Sequence, residues 1–340
     1  MDRDAQRATL KDVAEAAGTS ISTASRALSG NPAVAPATRA RIQRIATEMG
    51  YRPNAQAQAL RRSFTNTIGV VVPSLINYYF ASMVTAIQRE ASAAGLSTII
   101  ANSQERSDTL ADALQVFADQ RVDGIICVPH EGCSRRLLGM YRSGMPIVLI
   151  DRELEGSTIP TITSDAAASI AEAVGIFSDA GAQPIGYLSG PMETSTGRSR
   201  LEAFRRACAE LGIGEQRVFL GGYTQERGRC GASELIDAGC RALLAGDSMM
   251  TIGVIEECHR RGLVIGHDLE VIGFDTQPLF QLQPRPIMVI DQHVDEMATR
   301  AFHALDGMIH GKTPKPLRGF SATTLFTPAA HNPTHPGGEP

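Results

Sequence analysis

The sequence predicts a small all-α head joined to an α/β core of two lobes, each built on a doubly wound parallel sheet. Three observations lead to this fold class. Residues 9 to 49 carry apolar side chains at helical spacing, with capping and turn residues between the helical stretches. From Asn66 onward, short apolar runs alternate with amphipathic stretches, a pattern typical of parallel strands joined by helices. The chain has 340 residues, which is enough for a head and two lobes of ordinary domain size.

The head begins with a capped helix. Asp12 follows Thr9 by three residues, which is a capping arrangement. Apolar residues recur at helical spacing behind this cap, at Leu10, Val13, Ala14 and Ala17. Gly18 tolerates left-handed backbone angles, so the chain can turn sharply there before a second helix over residues 21–28. The sequence therefore predicts a helix-turn-helix.

The second helix has a surface that is ill suited to a core. It carries short hydroxyls and a cation, which bond well to phosphates and base edges, at Ser20, Ser22, Thr23, Ser25 and Arg26. A third helix, over residues 36–49, closes the head with the apolar face Ile42, Ile45, Ala46 and Met49. Periodicity alone leaves a second interpretation open, because any two short apolar helices joined by a glycine give this pattern.

Charge is divided unevenly along the chain. Residues 1–65 contain ten Lys or Arg and five Asp or Glu, a net charge of +5, whereas the whole chain carries −4 and the remainder therefore −9. A basic head would bind DNA with an affinity that falls steeply as salt rises, because phosphate contacts release counter-ions. The acidic remainder would be kept away from the phosphates.

Several other classes of protein are disfavoured. The six cysteines show no CxxC spacing, so reduced thiols are expected rather than disulfides, and neither a metal site nor a cofactor is predicted. No run of about 18 apolar residues could span a bilayer, and the N-terminus is charged where a signal peptide needs an apolar stretch, so a cytoplasmic protein is expected. The histidines form no catalytic pattern, so an enzyme is not expected.

The core divides into two sets of predicted buried strands. The first set covers residues 68–72, 97–101, 124–128 and 147–150, and the second covers residues 184–188, 217–220, 242–245 and 270–274. Helices are predicted between them, for example over residues 80–94, 108–120 and 198–211. In doubly wound sheets, ligands collect outside the carboxyl ends of the strands.

Polar residues cluster at these strand ends. They include Tyr79, Asp151, Arg152, Thr196, Arg200, Asp247, Asp275 and Gln292. A sugar needs such a set, because carboxylate, guanidinium and amide groups can each bond to two hydroxyls, while aromatics such as Phe80 and Tyr223 cover the apolar ring face. Singly, each residue has another interpretation: a helix cap or turn for Asp151 and Asp275, a solvated helix position for Arg200, and lobe packing for Tyr223. Their convergence from two lobes favours a ligand site.

Sequence motifs in both the head and the core resemble those of one protein family. The segments LKDVAEAAGTSISTASRALSG, VAPATRARI and MGYRPNAQAQAL in the head, and PSLINYYF, PIVLIDRE, GPMETSTGRSRLEAF, AGDSMMTIGV and VIGFDTQP in the core, are similar to LacI/GalR bacterial transcription regulators. The resemblance implies a helix-turn-helix head, a hinge helix, and a core like that of type I periplasmic binding proteins. It implies a sequence-specific DNA-binding regulator that responds to a small-molecule effector.

The resemblance also assigns effector positions. Phe80, Asp151, Arg152, Arg200, Asp275 and Gln292 match effector-contacting positions, with Tyr79, Thr196 and Tyr223 nearby. The pair Asp151 and Arg152 is similar to what ribose-binding relatives use, so a ribose-like pentose is the first expectation. Asp247 and Ser248 depart from the family, in which an Asn-Asp pair is usual, and an acceptor-only carboxylate thus replaces an amide that can also donate.

For DNA, the resemblance implies that Ile21, Ser22 and Arg26 face base edges. Phosphate contacts are implied for Thr9, Ser20, Thr23, Ser25 and Asn54. In the family, two hinge helices pair in the minor groove and a leucine from each wedges between base steps, and Leu60 stands at that position. The hinge is short enough that it should fold only on DNA.

These expectations give a domain plan and a mode of action. Residues 1–52 are predicted as the head, 53–65 as the hinge helix and linker, 66–327 as the core and 328–340 as a disordered tail. Within the core, the N-lobe is predicted at about 66–164 and 294–320, and the C-lobe at about 165–293 and 321–327. A helix-turn-helix head binds one half of a two-part DNA site, so a homodimer is expected. The helices near residues 80–94 and 110–120 are the candidate interfaces.

The predicted function is repression of sugar-utilisation genes, with a bound sugar releasing the protein from operator DNA. Two alternatives stay open: a regulator of the same family whose ligand is a corepressor, such as a purine or a phosphorylated carrier protein, and a transport-type sugar-binding protein. The latter would have no use for residues 9–62.

Overall fold

The computed structural model describes residues 8–51 and 64–327. Asn54 and Leu60, which the sequence assigns to DNA contact, lie outside the described residues, as do most of the predicted hinge and the predicted tail. The chain separates into two compact units, Met1–Thr65 and Asn66–Pro340. None of the helices within the described residues is long and apolar enough to cross a membrane.

The head consists of α1 (Leu10–Ala16), α2 (Ile21–Leu28) and α3 (Pro36–Glu48). Thr9 and Asp12 form a complete capping box, in which the Asp12 backbone N–H donates to Thr9 Oγ1 at 3.3 Å and the Thr9 N–H donates to Asp12 Oδ2 at 2.8 Å. Gly18 makes the turn with a φ of 58°. The three helices bury a small core of Val13, Ala14, Ala17, Ala24, Ala27, Val34, Ile42 and Ala46.

The predicted apolar face of α3 is wrong at one position. Met49 is 38% exposed and lies at the C-cap, one residue past the end of the helix. The apolar contact at this end of the head comes instead from Tyr51, which packs against the core of the head. The chain turns at Gly50, where φ is 63°, and the Tyr51 N–H donates back to the Ala46 carbonyl, so Tyr51 takes the place beside the core that the periodicity gives to Met49.

The elements of the first lobe are β1 (Thr67–Val72), α4 (Tyr78–Ala93), β2 (Ser97–Asn102), α5 (Ser107–Asp119), β3 (Gly124–Cys127), α6 (Ser134–Arg142), β4 (Ile147–Ile150) and β5 (Thr161–Asp165), joined by α12 (Val294–Ile309) and β11 (Arg318–Ala322). The six strands form a parallel sheet in the order β11-β5-β4-β3-β1-β2. Residues 68–72 of β1 are buried and mostly β-branched, as expected of a strand covered on both faces.

The second lobe repeats the arrangement with the order β12-β10-β9-β8-β6-β7, in which β12 alone is antiparallel to its neighbour. Its elements are α7 (Ala167–Asp179), β6 (Ile185–Ser189), α8 (Ser195–Glu210), β7 (Gln216–Leu220), α9 (Gln225–Asp237), β8 (Ala242–Ala245), α10 (Ser248–Arg261), β9 (Glu270–Phe274), α11 (Pro278–Gln281), β10 (Met288–Asp291) and β12 (Thr324–Phe326). Each lobe therefore has its own sheet and its own apolar core on both faces of that sheet.

The predicted burial of β2 is wrong. Four of its six residues are half-buried and two are exposed, among them Ile100 at 37%. The reason is the strand order, because β2 lies at an edge of the first sheet and only one neighbour covers it. The predicted two-lobed α/β architecture itself is confirmed.

Three connections join the lobes. The chain passes from β5 to α7, from β10 to α12 and from β11 to β12. Ser164, near the end of β5, and Gln292, directly after β10, are hydrogen-bonded to each other, with Ser164 Oγ donating to Gln292 Oε1 at 2.7 Å. This hydrogen bond therefore joins the first two connections at the boundary between the lobes.

Candidate functional site

Two aspartates mark corresponding strand ends in the two lobes. Asp151 directly follows β4, and Asp275 directly follows β9. Both have a left-handed backbone, with φ of 72° and 60°, and each N–H donates to a neighbouring strand, to the carbonyls of Ile162 and Ile290 respectively. Aspartate tolerates this conformation better than most residues, and such backbone conformations are concentrated at functional sites.

A hydrogen-bonded chain crosses the middle of the site. Arg200 Nη2 donates to Gln292 Oε1 at 2.6 Å, and Gln292 Nε2 donates to Asp275 Oδ1 at 2.8 Å. Arg200 Nη1 donates to the Gly246 carbonyl at 2.8 Å, and the guanidinium carbon lies 4.3 Å from the centroid of the Phe274 ring. Arg200 is thus a buried cation with partners on three sides. The alternative interpretation of Arg200 as a solvated helix residue is therefore wrong.

The first lobe supplies a second set of polar groups. Tyr79 Oη donates to Asp151 Oδ1 at 2.9 Å, and the Tyr79 ring meets Phe80 edge-on with centroids 5.1 Å apart. Arg152 is 3% exposed and donates two hydrogen bonds, of 2.7 and 2.8 Å, to the carboxylate of Glu105. A paired, bidentate guanidinium holds its orientation well.

Asp247 caps a helix and lines the site as well. It is the N-cap of α10, and its Oδ1 accepts from the Met250 N–H at 2.8 Å. Thr196, in the first turn of α8, is hydrogen-bonded to Tyr223 Oη at 2.9 Å. Tyr223 therefore has a polar partner at the site, beyond packing within its lobe.

Besides the hydrogen bond between Ser164 and Gln292, three further contacts among the described residues join the lobes around the site. Ser248 Oγ donates to Asn77 Oδ1 at 3.3 Å, and the Glu153 N–H donates to Ser195 Oγ at 2.9 Å. The third is cationic, because the Arg152 guanidinium carbon lies 5.4 Å from the centroid of the Tyr223 ring. These contacts hold the lobes close together at the site.

All ten residues that the sequence assigns to effector contact line one cavity between the lobes, called here the inner cavity. They are Tyr79, Phe80, Asp151, Arg152, Thr196, Arg200, Tyr223, Asp247, Asp275 and Gln292, and Asn77 completes the lining. The free volume is only about 20 Å³, because the side chains bond to one another across it. A larger cavity of about 420 Å³, the outer chamber, shares Asp151, Thr196 and Arg200 with the inner cavity.

Sequence reasoning missed three residues here. Asn77 is the N-cap of α4, a signal that the segment before the helix contains. Glu105 is distant in sequence from its partner Arg152, so nothing local pointed to it. Tyr187, in the middle of β6, is fully buried, and its Oη has no hydrogen-bond partner among the described residues.

Burial dominates the electrostatics of the site. It raises the pKa of Asp275 to about 8 and that of Asp247 to about 6, against the pull of Arg200, and it also raises the pKa of Asp151. Burial and the nearby Asp151 raise the pKa of the Tyr79 phenol. The site therefore offers the carboxyl of Asp275, the amide of Gln292 and the phenol of Tyr79 as groups that can both donate and accept hydrogen bonds near neutral pH.

Most of the described residues assigned to DNA contact belong to α2 or its N-cap, and their side chains are exposed or half-buried. Ser20 caps α2 by accepting from the Thr23 N–H at 3.1 Å, and its hydroxyl lies 2.9 Å from Ser22 Oγ. Ile21 is 47% exposed, which is unusual for an isoleucine and suits contact with a thymine methyl. Arg26 Nε donates to the Ser22 carbonyl at 3.2 Å. Thr9 and Ser25 complete the set of described residues, and Thr9 is engaged in its capping box.

Within the described residues, no three His, Cys, Asp or Glu side chains form a group that could hold a metal ion. The six cysteines are free thiols, and five of them are buried.

Comparison with known families finds two matches along the chain. Residues 9–54 match the model of bacterial regulatory proteins of the lacI family, and residues 174–326 match the periplasmic binding protein-like domain. A relative from Streptomyces limosus, an uncharacterised HTH-type transcriptional regulator in the aml 5′ region, is 31% identical over 308 residues, 87% of this chain and 86% of that protein. The chain belongs to the LacI family.

Solved structures of this family agree with the assignment. A probable LacI family transcriptional regulator from Corynebacterium glutamicum shares 55% sequence identity, with a TM-score of 0.71, over 76% of this chain and 97% of that chain. The lac repressor dimer bound to operator shares the fold over 95% of this chain and 98% of its own, with a TM-score of 0.83 at 24% identity. The LacI-family chain is therefore a DNA-binding transcriptional regulator, and the relatives it matches are regulators and not enzymes.

Proposed function

We propose that this regulator is a homodimeric repressor of sugar-utilisation genes, and that a neutral sugar bound between its lobes releases it from operator DNA. The observation that carries the proposal is the meeting of ten sequence-predicted side chains around one inter-lobe cavity. Both lobes contribute polar groups to it, so a ligand there has different contacts in different lobe arrangements. Only such differential contact can shift a conformational equilibrium.

The charges of the cavity favour a neutral ligand. Asp151, Asp247 and Asp275 line it together with two cations, and both cations already have partners: Arg152 is held by Glu105, and Arg200 by Gln292 and a carbonyl. A phosphorylated sugar or carrier protein would need cations that can turn toward its phosphate. A sugar hydroxyl can donate to a carboxylate and accept from an amide or phenol, which is what this cavity provides.

Ribose is the first sugar to test. The pair Asp151 and Arg152 is the feature that suggested it, and both side chains are buried at the cavity wall. Because Asp151 is bonded to Tyr79 and Arg152 to Glu105, the pair would present fixed hydrogen-bonding directions to adjacent hydroxyls.

On the DNA side, we propose direct base contacts for Ile21, Ser22 and Arg26 and phosphate contacts for Thr9, Ser20, Thr23, Ser25 and Asn54. Leu60 is proposed to wedge between base steps when two hinges pair. If lobe movement separates the hinges of a dimer, the wedge is withdrawn and operator affinity falls. Coupling energies between allosteric sites are typically about 1–3 kcal/mol, a change of roughly 5- to 150-fold in affinity.

The test combines ligand binding with operator binding. The full chain is screened by thermal shift against pentoses, hexoses, nucleosides and purines, because a ligand of the native state raises the melting temperature by mass action. A hit is then titrated into a complex with an operator fragment selected from random-sequence DNA. We expect a neutral sugar to weaken that complex.

A matched pair of variants assigns the site. Arg200→Ala should abolish the sugar response while operator binding persists, whereas Arg205→Ala, on the exposed side of the same helix, should respond normally. A screen with no sugar among its hits would refute the ligand class. A ligand that strengthens operator binding would instead make the protein a corepressor-dependent regulator, the alternative within the same family.

A further inference from the structure

Glu105 binds the guanidinium that the first lobe presents to the inner cavity. Arg152 lines that cavity, and its side chain is only 4% exposed. Its Nη1 and Nη2 atoms donate to the two carboxylate oxygens of Glu105 at 2.7 and 2.8 Å. Glu105 itself does not line the inner cavity, and its side chain is 41% exposed. The charge of Arg152 is therefore balanced by a residue outside the set that lines the cavity.

The loop that carries Glu105 has an unusual backbone. Gln104 and Glu105 both have left-handed backbones, with φ of 54° and 56°, although neither is a glycine. The Asn102 side chain supports the loop, because its Oδ1 accepts from the Gln104 N–H at 3.1 Å. Such conformations cost free energy and are concentrated at functional sites. The loop thus holds Glu105 in a costly conformation, in which the carboxylate reaches Arg152.

The pair of Glu105 and Arg152 does not depend on how the two lobes are arranged. Glu105 lies in the loop after β2 and Arg152 in the loop after β4, and both strands belong to the first lobe. The contact of Arg152 with the second lobe is separate, since its guanidinium carbon lies 5.4 Å from the centroid of the Tyr223 ring. Movement of the lobes can therefore part Arg152 from Tyr223 and make room for a ligand while Glu105 stays bound to the guanidinium.

A phosphate would need the edges of the guanidinium that carboxylates already flank. Guanidinium groups bind phosphate best through two parallel N–H donors. Glu105 occupies the edge of Arg152 that Nη1 and Nη2 form, and Asp151 Oδ2 lies 3.4 Å from Nε on another edge. Nε is buried and has no hydrogen-bond partner among the described residues, so a hydroxyl of a neutral ligand can accept from it. Arg200, the other cation of the inner cavity, is already bonded through both terminal nitrogens.

We propose that Glu105 is a specificity-determining residue that excludes phosphorylated sugars from this regulator, because it keeps the guanidinium of Arg152 from an anionic ligand. This proposal rests on the proposed sugar effector and adds the residue that selects the charge of that sugar. Without the carboxylate of Glu105, Arg152 is a buried cation at the cavity wall, with two N–H donors at the spacing of two phosphate oxygens. One substitution should therefore let the cavity accept an anion.

Calorimetric titration of the full chain with matched sugars tests this role. The neutral probes are ribose, glucose, fructose and galactose, and the anionic probes are ribose 5-phosphate, the 6-phosphates of the three hexoses, and inorganic phosphate. We expect the wild type to bind the neutral member of at least one pair more tightly than its phosphate. In Glu105→Gln, the phosphorylated member should gain about tenfold or more relative to the neutral one, the effect of charge-assisted hydrogen bonds.

The ratio of the two affinities is the readout that a merely structural role would not move. A change in lobe closure or in stability affects both members of a pair alike, whereas an uncovered guanidinium favours only the phosphorylated member. The same gain should fall as ionic strength rises, while the affinity for the neutral sugar should stay unchanged. Inorganic phosphate should bind Glu105→Gln more tightly than the wild type.

Three further variants locate the gain. Glu105→Gly removes the carboxylate and suits the left-handed backbone, so it should fold and show the same gain. Asp108→Asn also removes one negative charge nearby, but from an exposed pair with Arg106, and should leave the ratio unchanged. Adding Arg152→Gln to Glu105→Gln should abolish the gain. A cooperative unfolding transition shows that each variant is folded.

The outcomes separate this proposal from the proposed function. Equal binding of phosphorylated and neutral sugars by the wild type, an unchanged ratio in both Glu105 variants, or an equal gain in Asp108→Asn overturns the role of Glu105 and leaves a sugar effector in place. If no neutral sugar binds the wild type but anions bind the Glu105 variants alone, the neutral effector is refuted and the exclusion of anions by Glu105 stands. The absence of binding to every chain refutes both.

Discussion

Asn77 and Ser248 form a buried hydrogen bond between the two lobes, with Ser248 Oγ donating to Asn77 Oδ1 at 3.3 Å. Asn77 Oδ1 also accepts from the Tyr79 N–H at 3.0 Å, so the side chain that caps α4 is the one that reaches the other lobe. Ser248 opens α10 directly after Asp247, at the position where the chain departs from the Asn-Asp pair usual in its family. Ser248 therefore provides a contact between the lobes at the edge of the site.

A double-mutant cycle should detect that contact. We expect Asn77→Ala and Ser248→Ala to be less than additive in the free energy of unfolding, with a coupling of about 0.5–1.5 kcal/mol, the net value of a typical hydrogen bond. Urea titrations of the wild type, both single variants and the double variant give the coupling. Thr85→Ala, on the exposed side of α4, should be additive with Ser248→Ala. Additivity of the Asn77 and Ser248 variants would show that the bond contributes nothing.

Stability should depend on pH through Asp275. Its pKa is raised by burial to about 8, so the folded chain keeps a proton that the unfolded chain releases near pH 4. The free energy of unfolding should therefore fall as pH rises from about 4 to 8, since the unfolded state binds fewer protons in that window. Asp275→Asn removes this contribution, so the variant should become more stable relative to the wild type as pH rises.

Thermal unfolding at pH 5, 6, 7 and 8 measures that difference. Asp247, whose pKa is raised to about 6, is present in both chains and contributes to both curves. Asp295→Asn is the control, because that side chain is 67% exposed and should leave the pH dependence unchanged. Parallel curves for the wild type and Asp275→Asn would mean that Asp275 is ionised throughout.

The buried hydroxyl of Tyr187 gives a separate prediction. Burial raises the pKa of this phenol, its electrostatic neighbours are Arg200, Tyr223 and Asp247, and Oη has no hydrogen-bond partner among the described residues. Tyr187→Phe should therefore leave the free energy of unfolding unchanged or slightly higher, because a buried hydroxyl without a partner is costly.

If the hydroxyl bonds to the effector, the same variant should weaken effector binding by up to about tenfold. Tyr141→Phe, at a tyrosine packed in the first lobe, is the control for loss of a phenol elsewhere. A marked loss of stability in Tyr187→Phe with unchanged ligand affinity would place the partner of this hydroxyl within the protein.

Leu60 is the residue for which the resemblance makes the sharpest prediction. Leu60→Ala should lose most of the operator affinity while effector affinity stays unchanged, because a smaller side chain cannot wedge between base steps. Gel-shift titrations on the selected operator and on unrelated DNA distinguish specific from nonspecific binding. Equal operator affinity in the variant and the wild type would remove the wedge role.

Much of the fold follows from local pattern. The sequence predicts the capping pair Thr9 and Asp12, the turn at Gly18 and the apolar strands of both lobes. Each of these features depends on residues within one element. The exposure of β2 could not be predicted in this way. Its position at the edge of the sheet depends on the order of the strands, which the residues of one strand do not determine.

The candidate site divides in the same way. Asp151 and Asp275 were predictable because they end apolar strands, and strand ends are where ligands gather in such sheets. Their roles in binding stay predictions. Tyr187 was hidden because it lies inside a buried strand, where an aromatic residue is expected for packing alone. Glu105 was hidden because its pairing with Arg152 depends on how two separate loops meet.

Gln292 links the inner cavity to the connections between the lobes. It lies in one of the connections between the lobes, is bonded to Ser164 in another, and also holds Arg200 and Asp275. A substitution of Gln292 that changed ligand specificity would therefore also change the contacts between the connections that join the lobes. Asp247 lies away from the connections and is hydrogen-bonded within its own helix, so it is free of that constraint. Evolution or design could change the sensed molecule at that position while keeping the contacts that join the lobes.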